Sequence, residues 1–80
     1  MRIGEAIRQR IIDLCNEHDI NVNQLSLMCG MTQSTLNNIV NGRNHSTTVS
    51  TIQKICDGLG ITIQDFFSPD YFCNIEQEIK

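Results

Sequence analysis

The chain has 80 residues, 40% of them hydrophobic and 19% charged, which allows one modest core and leaves no room for a second domain within them. Aromatic residues make up only 5% and Trp is absent, which argues against binding of single-stranded nucleic acid by stacking. The net charge of −3 argues mildly against nucleic acid for the chain as a whole, because domains that bind phosphates are usually basic.

The apolar pattern predicts helices along almost the whole chain and no sheet. Apolar residues recur at steps of three and four from Ile3, which predicts a first helix over residues 3–18. Asn21 is a good N-cap for a short second helix that ends at Gly30, because glycine readily adopts the left-handed conformation of a helix end.

The next two helices have equally clear boundaries. Thr32 can cap a third helix that ends at Asn41 and Gly42. Thr48 can cap a fourth helix that ends at Gly60. The apolar positions of the second, third and fourth helices are predicted to form the core, at Leu25, Met28, Leu36, Ile39, Ile52 and Ile55.

The end of the chain predicts shorter pieces. Thr62 can cap a very short fifth helix, and Ser68 as N-cap with Pro69 at the first helical position favours another start. Apolar residues then recur every four positions, so this tail can form a short sixth helix that packs on its own domain, pairs with a second chain, or frays. The predicted fold is all-α, a compact five-helix bundle over residues 1–67 followed by a tail over residues 68–80.

Charged and metal-ligating residue types show no pattern of a catalytic or metal site. The chain's four cysteines and two histidines are not spaced as metal ligands are: Cys15, Cys29, Cys56, Cys73, His18 and His45. No nucleophile–base set or glycine-rich phosphate loop is visible, so neither an enzyme nor a cofactor is expected. Surface ion pairs are expected within the first helix, from Arg8 and Arg10 to Glu5 or Asp13.

Carboxylates are missing from one contiguous stretch. From Ile20 to Cys56 there are none, whereas Arg43 and Lys54 contribute +2, and residues 57–80 sum to −4. An even spread of nine acids over 80 residues would place about four in these 37 positions (9 × 37/80). A surface that faces phosphates requires such a gap, although a short chain can also show one by chance.

The stretch from residue 22 to 41 predicts two helices joined by a tight turn, and the second helix presents an uncharged polar face. The side chains of that face are Gln33, Ser34, Asn37, Asn38 and Asn41. Amides pair bidentately with adenine in the major groove, and Ser can donate or accept there. Such a face suits base edges better than solubility, for which Lys and Glu are commoner.

A set of spaced positions across residues 3–67 carries a family resemblance: Leu25-Ser26, Gly30, Thr32-Gln33-Ser34, Leu36, Ile39, Asn41-Gly42-Arg43, Ile52, Lys54-Ile55, Leu59-Gly60-Ile61 and Phe66-Phe67. In these positions the sequence resembles the Cro/repressor-type helix-turn-helix domains, also called the lambda repressor-like or XRE family. The resemblance implies a five-helix bundle whose third helix enters the major groove of double-stranded DNA.

The resemblance also implies roles for individual residues. Contacts to base edges are expected from Gln33, Ser34, Asn37, Asn38 and Asn44. Contacts to backbone phosphates are expected from Asn21, Thr35, Asn41, Arg43 and His45.

The sequence departs from the family pattern at two points. Many members have a Gln where this chain has Val22, and that Gln contacts a phosphate or supports the residue that matches Gln33. Without it, Gln33 is expected to lack this support, and fewer phosphate contacts are expected. Many also pair a Glu before Asn-Gly with an Arg of the first helix. The matching residues here are Val40 and Cys15, so packing is expected to replace that ion pair, at little energetic cost.

The sequence therefore predicts a small cytoplasmic, sequence-specific transcriptional regulator that binds double-stranded DNA. No membrane and no small-molecule ligand are expected as partners. A homodimer is expected because one helix reads only a few base pairs, and its interface is predicted at Tyr71, Phe72, Ile75 and Ile79. Two alternatives stay open: a helix-turn-helix scaffold that binds a protein, as an antitoxin or adaptor, and a structural domain that only self-associates through its tail.

Overall fold

The computed structural model describes residues 1–42 and 47–79, and in them the chain forms five α-helices, one 3-10 helix and no strand. The elements are α1 (Ile3–Glu17), α2 (Val22–Cys29), α3 (Gln33–Val40), α4 (Val49–Leu59), α5 (Ile63–Phe66) and the 3-10 helix (Asp70–Asn74). The predicted all-α, five-helix fold is thereby confirmed. No helix of the described part is long and apolar enough to cross a membrane.

The predicted polar caps begin four of the helices. Asn21 Oδ1 accepts a hydrogen bond from the Gln24 backbone N–H at 2.8 Å, and the Gln24 side chain accepts one from the Asn21 backbone N–H at 2.9 Å. Three threonine hydroxyls accept the corresponding bond at the starts of α3, α4 and α5, and they belong to Thr32, Thr48 and Thr62. Each such cap stabilises its helix by about 1 kcal/mol.

The core is built from one stripe of each helix. Its fully buried side chains include Ile11, Leu14, Leu25, Leu36, Ile55, Cys56 and Phe66. Five of the six predicted core positions are confirmed, but the prediction for Met28 is wrong, because this side chain is 47% exposed. The buried stripe of α2 runs through Leu25, Ser26 and Cys29 instead, and the Ser26 hydroxyl stays satisfied by donating to the Asn23 carbonyl at 2.7 Å.

A glycine sets the close approach of α2 and α4, and the sequence analysis did not find it. A Cβ atom at Gly58 would lie 2.8 Å from Cys29 Sγ and 2.9 Å from the Met28 carbonyl oxygen. The backbone carbonyl cannot swing away as a flexible side chain can, so any larger residue here has to separate the two helices.

The two arginines of α1 bind the ends of other helices, which corrects the predicted surface ion pairs. Arg10 is 7% exposed, and its guanidinium donates to the carbonyl oxygens of Phe66 at 2.7 Å and Asp65 at 2.9 Å. Arg8 Nε donates to the Val40 carbonyl oxygen at the end of α3. The last carbonyls of a helix carry its negative pole and attract guanidinium groups. Arg10 in addition lies 3.6 Å from the carboxylate of Glu17, and not from Glu5 or Asp13 as predicted.

The tail forms a short 3-10 helix and not a regular sixth α-helix. Pro69 takes the N-cap position, while the Ser68 hydroxyl donates back to the Asp65 carbonyl at 2.7 Å, so the prediction of Ser68 as N-cap is wrong. Beyond the 3-10 helix, the Glu76 backbone N–H donates to the Met1 carbonyl oxygen at 3.0 Å. The tail therefore packs on its own domain as far as Glu76, which is one of the three arrangements predicted for it.

Candidate nucleic-acid interface

Helices α2 and α3 form a helix-turn-helix in which α3 turns one side to the core and the other to solvent. The tight turn is made by Gly30, which adopts the left-handed conformation with φ 67°. Leu36 and Ile39 are buried and anchor α3 on the core. Val40 also packs against the core, and the other five residues of this eight-residue helix are polar, which is the sequence signal that predicted the face.

The structure places most of the predicted base-contacting residues on the outer side of α3. Gln33, Ser34 and Asn38 are exposed, and Asn37 is half-buried. Asn44 lies outside the described residues. The exposed side chains thus present hydroxyl and amide groups of neutral charge, which can pair with the donor and acceptor edges of bases.

The predicted phosphate-contacting residues lie at the ends of α2 and α3. Asn21 is the exposed N-cap of α2, and Asn41 is the exposed residue that follows α3. The Thr35 hydroxyl lies 2.7 Å from the Thr32 hydroxyl in the first turn of α3. Arg43 and His45 fall outside the described residues.

A side chain missed by the sequence analysis braces the far end of α3. The hydrogen bond from Arg8 ties the Val40 carbonyl to α1, 32 positions earlier in the chain. Val40 itself packs against the core and Cys15 is buried in it, as expected where packing replaces the family's ion pair. Spacing within α1 could not reveal this bond, because its acceptor is a backbone atom of a distant helix.

Val22 occupies the position where many family members carry a Gln. It is the first residue of α2, half-buried, and packs against the core. At the start of α2, apolar burial of Val22 therefore replaces the polar contact that a Gln would make. The neighbouring Asn21 remains as the predicted phosphate ligand at the N-terminal end of α2.

The buried thiols have the properties of core residues. Burial raises the pKa of Cys29 to about 11, with the neighbouring thiols Cys15 and Cys56 adding to the shift. Burial also raises the pKa of Cys15 and of Cys56. A protonated thiol is neither a nucleophile nor a metal ligand at neutral pH. Within residues 1–42 and 47–79, no three His, Cys, Asp or Glu side chains come together as a metal site.

Comparisons with known proteins agree with this geometry. The family model of the Cro/C1-type HTH DNA-binding domain matches residues 10–70. The crystal structure of the prophage Lp1 protein 11 superposes with a TM-score of 0.79 at 32% sequence identity, over 90% of this chain and 96% of that one. Among curated proteins, none matches the chain. With the helix-turn-helix, its cap residues and its polar face in place, the chain belongs to the Cro/C1-type helix-turn-helix DNA-binding family.

Proposed function

We propose that this protein is a small transcriptional regulator that binds double-stranded DNA sequence-specifically, with α3 in the major groove. The observation that carries the proposal is the exposed, uncharged polar face of a helix whose other side is fixed in the core. A rigid helix loses little conformational entropy when it enters the groove, and neutral amides discriminate bases without a general attraction to phosphate.

The base-reading role falls on the first two turns of α3 and the loop after it. Gln33 and Asn38 each carry an amide that can pair with adenine, and Ser34 can donate to or accept from any base. Asn37 and Asn44 complete the proposed set. One good bidentate pair discriminates against the wrong base by about 1–3 kcal/mol, so two such pairs account for useful selectivity.

Phosphate contacts are proposed to orient α3 in the groove. Asn21, Thr35 and Asn41 offer neutral hydrogen-bond donors, and Arg43 and His45 in the following loop offer cationic ones. The carboxylate-free stretch from residue 20 to 56 supports this proposal, because no like charge within it repels the DNA backbone.

A homodimer is proposed because one reading helix covers only a few base pairs, and two copies spaced by about 34 Å read a palindromic site. Within the predicted interface, the Tyr71 hydroxyl donates to Asp13 at 3.2 Å and Phe72 packs against Phe66 and Phe67. Ile79, by contrast, is 88% exposed and available to a second chain. Ile79→Asp is expected to raise the dimer dissociation constant in sedimentation equilibrium, and an unchanged constant would remove Ile79 from the interface.

The test of DNA reading is selection of random duplexes on the purified protein, at low and at moderate salt. The double variant Gln33→Ala/Asn38→Ala is expected to lose the enriched palindromic motif. Gln64→Ala, an exposed amide on α5, is the matched control and is expected to keep it. A folded wild-type protein that enriches no motif at low salt would contradict the proposal.

A second candidate function is binding of a protein partner through the same scaffold. It is favoured by two apolar side chains of α2 that face solvent, Leu27 at 82% and Met28 at 47% exposure. Salt dependence separates the two candidates, because phosphate contacts make affinity fall steeply with salt and an apolar contact does not. Leu27→Ser is expected to abolish binding of such a protein partner while leaving DNA binding unchanged.

A further inference from the structure

A small polar cavity lies between the turn that joins α2 to α3 and the outer side of α4. Its volume is about 250 Å³, and its lining residues are Gly30, Met31, Thr32, Thr35, Thr51 and Lys54. Pockets that hold drug-sized ligands span about 300–1,000 Å³ and are mostly apolar, so this cavity suits a single polar group better than a whole small molecule.

The chemistry of the lining fits an oxyanion. Lys54 supplies a cation. The Thr32 and Thr35 hydroxyls bond each other at 2.7 Å, which leaves one of them free to donate outward, and the Thr51 hydroxyl can donate outward while it accepts from Thr48 at 3.0 Å. No carboxylate lines the cavity, and none lies in the sequence from residue 20 to 56. None of the salt bridges found within residues 1–42 and 47–79 involves Lys54. The ammonium group is thus available to an external anion.

The position of the cavity relates it to the reading helix. Thr32 caps α3 and Thr35 lies in its first turn, directly beside the proposed base-reading residues Gln33 and Ser34. Thr51 and Lys54, three positions apart, share one side of α4 and close the cavity from the other helix. An anion held here would be a neighbour of the bases that α3 reads.

We infer that this cavity binds one phosphate of the DNA backbone, with Lys54 as its cationic ligand and Thr51 as a hydrogen-bond donor. The inference rests on the proposed function and adds a contact that fixes α3 in the groove from the side of α4. This contact also compensates for the phosphate contact that is lost at the start of α2, where Val22 replaces the Gln of many family members.

The first experiment compares the salt dependence of duplex binding for the wild type, Lys54→Gln and Arg2→Gln. Loss of one phosphate contact is expected to reduce the slope of log affinity against log salt by about 0.9 for Lys54→Gln. A fourfold rise in salt then weakens this variant about 3.5-fold less than the wild type. Arg2→Gln removes the same charge from an exposed pair with Glu78 away from the cavity, and its slope is expected to stay unchanged. Equal slopes for both variants would overturn the inference.

The second experiment locates the phosphate. Each phosphate of a bound duplex is replaced in turn by a neutral methylphosphonate. At one phosphate position per half-site, the substitution is expected to weaken binding of the wild type and to leave binding of Lys54→Gln unchanged. The reason is that the variant already lacks the lysine that contacts this phosphate. Identical profiles for the two proteins would overturn the inference while leaving the proposed function intact. A wild type that binds no duplex at all would instead refute the proposed function.

Inorganic phosphate distinguishes the DNA backbone from a free anion. It is titrated into the DNA-free protein while the backbone amide resonances of Thr51 and Lys54 are followed by NMR. The amide shifts are expected to be small and not to reach saturation. In the same protein, the methylphosphonate experiment is expected to identify a phosphate whose neutralisation weakens the wild type but not Lys54→Gln. Saturable shifts with no such position would assign the cavity to a free anion and overturn the inference.

Discussion

Replacing Arg10 tests how the short helix α5 is held on the bundle. Its guanidinium donates to the last carbonyl oxygens of α5, at 2.7 Å and 2.9 Å, and also lies 3.6 Å from the Glu17 carboxylate. Hydrogen bonds to charged groups contribute about 1.5–3 kcal/mol each, whereas an exposed ion pair contributes about 0–1 kcal/mol. The carbonyls, and not the carboxylate, are therefore the partners whose loss is expensive.

Arg10→Met keeps the apolar stem and removes both carbonyl bonds. The Asp65 carbonyl keeps the Ser68 hydroxyl as a donor, so only the Phe66 bond is lost in full and the free energy of unfolding is expected to fall by about 2–4 kcal/mol. A domain of 80 residues has a total of about 4–12 kcal/mol, so the variant is strongly destabilised but foldable. Glu17→Gln removes only the ion pair made by this exposed carboxylate and is expected to lose less than about 1 kcal/mol. Arg10→Lys keeps the charge without the planar fork and is expected to fall between the two.

Urea titrations followed by far-ultraviolet circular dichroism measure the three differences, and thermal melts repeat them at about 4–8 °C per kcal/mol. The order Arg10→Met, Arg10→Lys, Glu17→Gln, from most to least destabilised, is the expected result. If Glu17→Gln destabilises the protein as much as Arg10→Met does, the ion pair and not the pair of α5 carbonyls holds α5 on the bundle.

Further predictions concern stability at other sites. Gly58→Ala is expected to destabilise the protein by about 1–3 kcal/mol in urea titrations, because the added methyl group meets α2. The control Asp57→Ala, on the exposed side of α4, is expected to lose no stability. A Gly58→Ala variant more stable than the wild type would refute the close approach of α2 and α4. Burial, and in addition the neighbouring Asp13 carboxylate, raise the pKa of the Tyr71 hydroxyl from 10.0 to about 12. The protonated hydroxyl therefore contributes fully to stability below pH 10, and this contribution is lost as the pH rises towards 12. Tyr71→Phe is expected to flatten that decline in melts across this range, and an unchanged decline would contradict the assignment. Thr48→Val is expected to cost about 1 kcal/mol in urea by removing the cap of α4, and an unchanged midpoint would contradict that role.

The sequence predicts the helix boundaries well because their signals are local. Asn21 and Thr62 bond backbone atoms three positions ahead, and Gly30 and Gly60 adopt the left-handed conformation at the residue that follows each helix. Each of these effects depends on a single turn of chain, so a residue type at one position is sufficient information.

The contacts that fix the helices relative to one another were not predictable in this way. Arg10 bonds atoms 55 and 56 positions away, and Gly58 is required by a carbonyl of a different helix. Met28 lies at the edge of the α2 stripe, where periodicity alone does not decide between burial and exposure. The polar face of α3 was predictable because its apolar side identifies the opposite side, whereas the cavity beside Lys54 exists only once α4 is packed.

The distribution of charge explains how an acidic chain can bind DNA. Salt at physiological strength screens charges beyond about 8 Å, so a phosphate responds to the groups near it and not to the net charge of −3. The carboxylates that produce this charge lie outside residues 20–56, and one of them, Glu78, is already paired with Arg2 at 3.1 Å. Within the carboxylate-free stretch the cations Arg43 and Lys54 both follow the proposed reading helix α3 in sequence. We therefore expect such a protein to be attracted to DNA only where the proposed reading helix approaches it. The acidic remainder is expected to disfavour non-specific binding, so that affinity depends on the few proposed contacts around α3.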